Sequence, residues 1–341
     1  MSTPHLDGLE LQTTLESWPL LNPFRITGRT WEFVEVLVVT LKKGPHIGRG
    51  EAAGVYYRND MPPAMRQQVE RLRPSIEAGL SRDSLQQLLP PCPARNALDC
   101  ALWDLEAKVT GRPAWQLAGL APPRPLLTTF TCGADLPEKM ARTALSYRGA
   151  RAIKLKLTGE PVDADRVRAV RAARPDVWLG VDANQGFNRA LLEKLMPVLV
   201  ESRVELIEQP FPIGQEQLLE GLDSPIPIAA DESLQSLADL PAVRGRFNVV
   251  NLKLDKCGGL SEALAMARAA HELGLETMVG NMLGTSLAMA PAFLVGQLCK
   301  VVDLDGPIFL KSDRPSPAEY NAGLIHCPET LWGYPDATRP S

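Results

Sequence analysis

The chain has 341 residues, 45% of them hydrophobic and 22% charged, an ordinary globular composition with room for a substantial core. A formal net charge of -4 gives no general attraction to nucleic acid phosphates or anionic lipid, so neither is an expected partner and a small molecule is. Six scattered cysteines without a CxxC pair predict reduced thiols, and the opening MSTPHLDGLELQ lacks the basic and apolar regions of a secretory signal, so a cytoplasmic location is expected.

In chain order, the valine-rich and partly alternating run 32–41 (EFVEVLVVTL) predicts a strand of an antiparallel sheet. Residues 42–59, with their glycines and paired tyrosines, read as a loop. From Pro62 to Leu120 the pattern turns helical. ARNALDCALWDLEAKVTG sets Ala97, Leu98, Ala101, Leu102 and Leu105 at helical spacing, and Gly111 and Pro113 stop the helix. An α+β segment therefore spans 1–122, ending at the proline-bearing APPRP.

Beyond it, short apolar strands alternate with helical stretches: 126–132, 152–157, 177–183, 204–210, 227–233, 248–254 and 276–282. Such repeated βα units over 123–309 predict an α/β fold, either a parallel barrel or an open doubly wound sheet. No GxGxxG or GxxxxGK[ST] fingerprint opens a helix, which favours the barrel. Thr277 to Cys299 carries no charge and is long enough to span a membrane, but its glycines, Asn281, Pro291 and Gln297 predict a strand, a turn and a buried helix.

Three predicted strands end in acids: Asp182 in GVDANQG, Glu208 in LIEQP and Asp231 in AADES, each about one βα unit after the last. Singly, each could cap a helix or form a turn. Together, at the converging strand ends of a barrel, three carboxylates repel one another unless a hard cation with oxygen ligands joins them, and magnesium, one per subunit, is the natural candidate. Two other strands carry lysines. Lys154 and Lys156 share a face in IKLKL, and Lys253 and Lys256 lie in NLKLDKCGG. Lys154 could also pair structurally with an acid. For Lys156 and Lys253, burial and a neighbouring cation are expected to lower the pKa toward that of a base. Their strands flank the acidic ones, so the two lysines face each other across the metal. One can remove a proton next to a substrate carboxylate and the other can return it from the opposite face, which is epimerisation.

With these residues in place, the chain resembles the enolase superfamily, muconate lactonizing subgroup, through the KxK of Lys154 and Lys156, the acids Asp182, Glu208 and Asp231, and NLKLDKCGG around Lys253. The resemblance covers nearly the whole chain and implies a modified TIM barrel, (β/α)7β, with an N-terminal α+β capping domain that the tail 310–341 completes. VDLDGP places Asp303 and Asp305 on one face of the last strand and resembles the element by which dipeptide epimerases hold the substrate's ammonium group. The implied activity is epimerisation of a dipeptide at its C-terminal residue. In the Ala-Glu epimerases an arginine of a cap loop meets the glutamate carboxylate. Here Trp31 stands at that position, with Arg25 and Arg29 nearby, so an acidic and an apolar second residue are both open. Thr131, Arg29 and Trp31 join Lys154 among the implied substrate contacts, and Tyr56 and Tyr57 could line the pocket.

Within the superfamily a muconate cycloisomerase or o-succinylbenzoate synthase would use the same lysines and metal without needing Asp303 and Asp305. A non-catalytic barrel binding an amino-acid derivative would leave its buried charges without a purpose. A phosphate-ester enzyme lacks the glycine-rich loop near the last strands. A homo-oligomer is expected by family analogy alone.

Overall fold

Three strands open the chain: β1 (Glu10–Ile26), β2 (Arg29–Lys43) and β3 (His46–Ala52), paired antiparallel in that order. This is a computed structural model, and it describes residues 4–336, so the outermost ends of the 1–122 and 310–341 segments lie outside the described residues. The predicted strand at 32–41 falls within β2, and its imperfect alternation has a cause. Val34, Val36 and Val38 face the large core shared with the barrel, whereas Leu37, Val39 and Leu41 face a second core built by the cap helices. Both faces are buried, so both are apolar.

The stretch 42–59 is not wholly a loop, because β3 lies inside it. HIGRGEA lacks a strand's apolar alternation for a packing reason. The long cap helix, Pro93–Thr110, crosses so close that a Cβ on Gly48 would meet the Ala101 carbonyl oxygen at 2.3 Å, and one on Gly50 the Ala97 oxygen at 2.1 Å. The glycines there admit a helix rather than turn the chain. The helix buries Ala97, Leu98, Ala101, Leu102 and Leu105 as the spacing predicts, and Gly111 closes it in the left-handed region at φ 65°.

The second unit is an eight-stranded parallel sheet: β4 (Phe130–Cys132), β5 (Ala152–Lys156), β6 (Trp178–Asp182), β7 (Leu206–Glu208), β8 (Ile228–Ala230), β9 (Val249–Leu252), β10 (Glu276–Val279) and β11 (Val301–Val302), each paired with the next. The Thr129 N–H donates to the Val302 carbonyl at 2.9 Å and the Leu304 N–H to the Thr128 hydroxyl at 3.0 Å, which brings the first strand to the last. The expected (β/α)7β barrel is therefore present, with a 3-10 turn, Glu216–Leu219, as its fourth crossover.

Two boundaries differ from expectation. The predicted strand 126–132 is split, because Leu126–Leu127 pairs with Leu324–His326 of the tail and only Phe130–Cys132 enters the barrel. Asp303 and Asp305 do not share the face of a strand: the strand ends at Val302, and Asp305 is the N-cap of the 3-10 turn Gly306–Phe309. The uncharged stretch 277–299 is a strand and a buried helix, and no described helix is long and apolar enough to cross a membrane.

The tail returns to the cap. Lys311 N–H donates to the Pro19 carbonyl at 2.9 Å, and the Trp332 indole N–H reaches the carbonyls of Arg49 and Cys100 at 2.9 and 3.2 Å. All six cysteines are free.

Candidate active site

The C-terminal strand ends carry the charges. In the ladder Lys156 lies beside Asp182, and Asp182 beside Glu208, while Asp231 follows β8 and Lys253 follows β9. All five side chains are buried. Each acid meets an ammonium group: Lys156 with Asp182 at 2.6 Å, Lys154 with Glu208 at 3.0 Å, and both Lys253 and Lys256 with Asp231 at 2.6 Å. Lys154 also pairs with Asp303. Three strands separate β5 from β9, which in an eight-stranded barrel puts Lys156 and Lys253 about half a circumference apart, and both line one cavity of about 470 Å³ between barrel and cap.

The charges do not balance. Asp182, Glu208, Asp231, Glu232, Asp303 and Asp305 are six buried carboxylates facing four ammonium groups, those of Lys154, Lys156, Lys253 and Lys256, an excess of two negative charges if all ionise. Crowded and buried, several of these carboxyls are held above their ordinary range. Burial and Asp182 push Glu208 up to about 7, burial and Asp231 push Glu232 up to about 8, and burial and Asp303 push Asp305 up to about 7. Burial also works against Asp231, but Lys253 and Lys256 outweigh it and hold that carboxyl far below the usual range.

The protein's own acids act on Lys253 in the opposite direction to burial. Burial does tend to lower Lys253, but Asp231, Glu208, Glu232 and Asp182 outweigh it and hold the ammonium well above its ordinary value.

The donor set fits a hard divalent cation. The donors are carboxylate oxygens on three successive strand ends, the charge excess equals one divalent ion, and two buried acceptors at the cavity wall, Asn184 Oδ1 and Glu232 Oε2, have no hydrogen-bond partner. Among the described residues no three Asp, Glu, His or Cys side chains stand in a finished ligand cluster, since lysines occupy the carboxylates. Asp231 reaches the cavity wall, while Asp182 and Glu208 are fully buried.

The cap closes the other side. At the tip of the β1–β2 hairpin the Thr27 hydroxyl lies 3.0 Å from the carbonyls of both Leu157 and Ala183, docking the hairpin onto the barrel mouth. Arg29 then lies over Trp31 and Tyr56, its guanidinium carbon 5.0 and 5.1 Å from the ring centroids. Trp31 meets Tyr56 edge-on at 5.3 Å. Arg29, Trp31, Tyr56 and Tyr57 all line the cavity, whereas Arg25 lies 3.9 Å from Glu160 and does not.

The description "Mandelate racemase / muconate lactonizing enzyme, N-terminal domain" matches residues 9–119, and "Enolase C-terminal domain-like" matches residues 138–331. The chain belongs to the enolase superfamily. It is 37% identical over 313 residues to the L-Ala-D/L-Glu epimerase of Escherichia coli strain K12, a match covering 91% of this chain and 97% of that one. Among solved structures it is similar to an enolase family member from Agrobacterium tumefaciens with homology to dipeptide epimerases, bound to sodium and L-Ala-L-Glu, at 40% identity, TM-score 0.93, and coverage of 95% and 100%. It is also similar to the dipeptide epimerase of Methylococcus capsulatus complexed with Mg and L-Arg-D-Lys, at 30% identity, TM-score 0.86, and coverage of 96% and 98%.

Within this superfamily fold the residues expected from sequence to contact substrate line the same cavity: Lys154, Thr131, Asp303, Asp305, Arg29 and Trp31. They are not equivalent. Asp303 is occupied by Lys154 and the Thr129 hydroxyl, whereas Asp305 accepts from the Thr131 N–H at 2.6 Å and from its hydroxyl and makes no ion pair among the described residues. Lys154 is 2% exposed and paired with acids on two sides, Glu208 and Asp303. The sequence reading missed Glu232 and Asn184, although each stands close to a named acid, in ADES and in GVDANQG.

Proposed function

We propose that the protein epimerises dipeptides at the α-carbon of the C-terminal residue by a two-base proton transfer. The observation that carries this is the placement of Lys156 and Lys253 about half a barrel apart on one cavity, each held by a carboxylate. Asp182, Glu208 and Asp231 would hold Mg2+. When bound, such an ion supplies positive charge that stabilises the developing dianion of the substrate carboxyl group. The chain's own groups do the rest: one lysine takes the α-proton, the other delivers a proton to the opposite face, and the closed cap excludes water. Asp305, without an ion pair of its own, would receive the substrate's ammonium group, with Asp303 fixed behind it by Lys154. A muconate cycloisomerase or succinylbenzoate synthase has no use for such a cation site.

We further place the cap at residues 1–122, the barrel at 123–309 and the cap-completing tail at 310–341, a division supported by the tail's bonds to Pro19 and Arg49. The free cysteines fit a reducing cytoplasmic setting. A closed homo-oligomer rests on family analogy.

The test is incubation with Mg2+ and a library of L,L-dipeptides in deuterated water, with α-deuterium uptake read by mass spectrometry. Uptake is expected with dipeptides, and a chelator should abolish it until Mg2+ is restored. Absence of exchange with every dipeptide would overturn the reading.

For the side chain, Arg29 is the cap's cation on the cavity wall, and its stacking on two rings pre-orders the guanidinium. An acidic second residue is therefore the favoured substrate. A hydrogen bond to a charged group contributes about 1.5–3 kcal/mol, so Arg29→Ala should lower kcat/KM for L-Ala-L-Glu roughly 10- to 100-fold. L-Ala-L-Leu should change little. Equal losses on both dipeptides would reject the assignment.

A further inference from the structure

Between the lysine that follows β9 and the cap loop that walls the cavity lies a contact that proton transfer does not require. Asp255 is two residues beyond Lys253, in the short helical turn Leu254–Cys257, and is 6% exposed. It turns away from the carboxylate cluster. One carboxylate oxygen accepts the backbone N–H groups of both Ala53 and Gly54, each at 2.9 Å. These donors lie about 200 residues earlier in the chain, at the start of the loop that carries Tyr56 and Tyr57.

The loop leaves little room to adjust. Gly54 has φ +92°, and a Cβ there would meet the Asp60 carbonyl oxygen at 2.4 Å. The Val55 N–H donates to that same carbonyl at 2.9 Å and closes the loop on itself. At its far end, Tyr57 takes a hydrogen bond from the Gln235 amide at 3.0 Å. Between these ties stands Tyr56, in contact with Trp31 and Arg29. A displacement at Gly54 is thus passed to Tyr56 and from it to the residues that would meet the substrate side chain.

We propose that Asp255 is a positioning residue that fixes the 53–57 cap loop on the segment bearing Lys253, and so sets the Tyr56, Arg29 and Trp31 wall relative to the catalytic lysine. The assignment rests on the dipeptide reading only for its kinetic consequence. The structural part stands without it. Two backbone N–H groups without an acceptor, that of Gly54 buried and that of Ala53 half-buried, destabilise the closed loop specifically, because neither can pair elsewhere while Gly54 keeps its conformation. Asparagine at this position keeps the accepting oxygen.

The experiment compares the wild-type protein with Asp255→Ala and Asp255→Asn in two assays. Amide hydrogen exchange, which needs no substrate, should show the Ala53 and Gly54 amides protected at least tenfold more than those of Tyr56 and Tyr57 in the wild type. Protection should be lost in the alanine variant and retained in the asparagine variant. Steady-state epimerisation of L-Ala-L-Glu should show KM raised about tenfold in Asp255→Ala with kcat within about threefold, a smaller preference over L-Ala-L-Leu, and near wild-type behaviour in Asp255→Asn. Unprotected amides in the wild type overturn the proposal even if the alanine variant fails to fold. A fall in kcat with KM and preference unchanged also overturns it. If L-Ala-L-Glu is not a substrate, the exchange result alone decides the loop contact.

Discussion

Replacing Lys156 and Lys253 together with alanine should abolish α-proton exchange in deuterated water, while each single variant should lose epimerisation and retain exchange from one configuration only. The reason is geometric. The two lysines belong to strands four apart in an eight-stranded barrel and line one cavity, so each would reach a bound substrate's α-carbon from its own side. A positioned acid or base contributes about 10²–10⁴-fold to a rate, and both halves of epimerisation need one, so each single variant should drop by that factor in conversion. Half-exchange separates this mechanism from a one-base alternative, in which one variant would keep both configurations active. Chiral chromatography with mass detection reads both quantities at once. Exchange that persists in the double variant would reject the two-lysine mechanism. Circular dichroism must accompany the assay, because either substitution leaves Asp182 or Asp231 short of an ammonium partner in a cluster already rich in negative charge.

The barrel was legible because its signal is redundant. Seven short apolar runs recur at one period, and buried parallel strands tolerate few other compositions. The chemistry was legible for the opposite reason, since Asp182, Glu208, Asp231, Lys156 and Lys253 interrupt those apolar runs where an ordinary core would not. β3 escaped because Gly48 and Gly50 answer to a helix packed across them, and that demand leaves no alternation to read. Glu232 escaped because strand alternation points neighbours to opposite faces, but the strand ends at Ala230 and the chain turns, so both acids come to the same cluster. The direction of the Lys253 shift depends on four carboxylates from three strand ends, a sum that only the folded arrangement supplies. Asp255 was invisible for another reason: its partners are backbone N–H groups, which carry no residue identity.

Arg314→Ala should destabilise the protein by about 3–5 kcal/mol, the range for removing one partner of a buried ion pair. Arg314 lies in the tail and is enclosed by the cap. Its guanidinium is 2.6 Å from both Glu16 of β1 and Glu51 of β3, and it lies 4.8 Å from the Trp18 ring centroid. Glu51 is 1% exposed and also accepts the N–H and hydroxyl of Thr285, at the start of the barrel helix Ser286–Gly296. One carboxylate thus joins cap, tail and barrel. The two partners respond differently: two acids outweigh burial and raise the Arg314 pKa, whereas for Glu51 burial outweighs Arg314 and raises the carboxyl. Glu51 is therefore the group left stranded when the guanidinium goes. The double variant Arg314→Ala with Glu51→Gln should recover part of the loss, because it no longer buries an unpaired charge. Urea unfolding of the four proteins at pH 7 measures the coupling, and additive losses would show that the pair does not join the three segments. A carboxyl raised by folding lowers stability above its ordinary pKa and not below it. The gap between wild type and Arg314→Ala should accordingly narrow as the solution is acidified and Glu51, raised by burial, is neutralised.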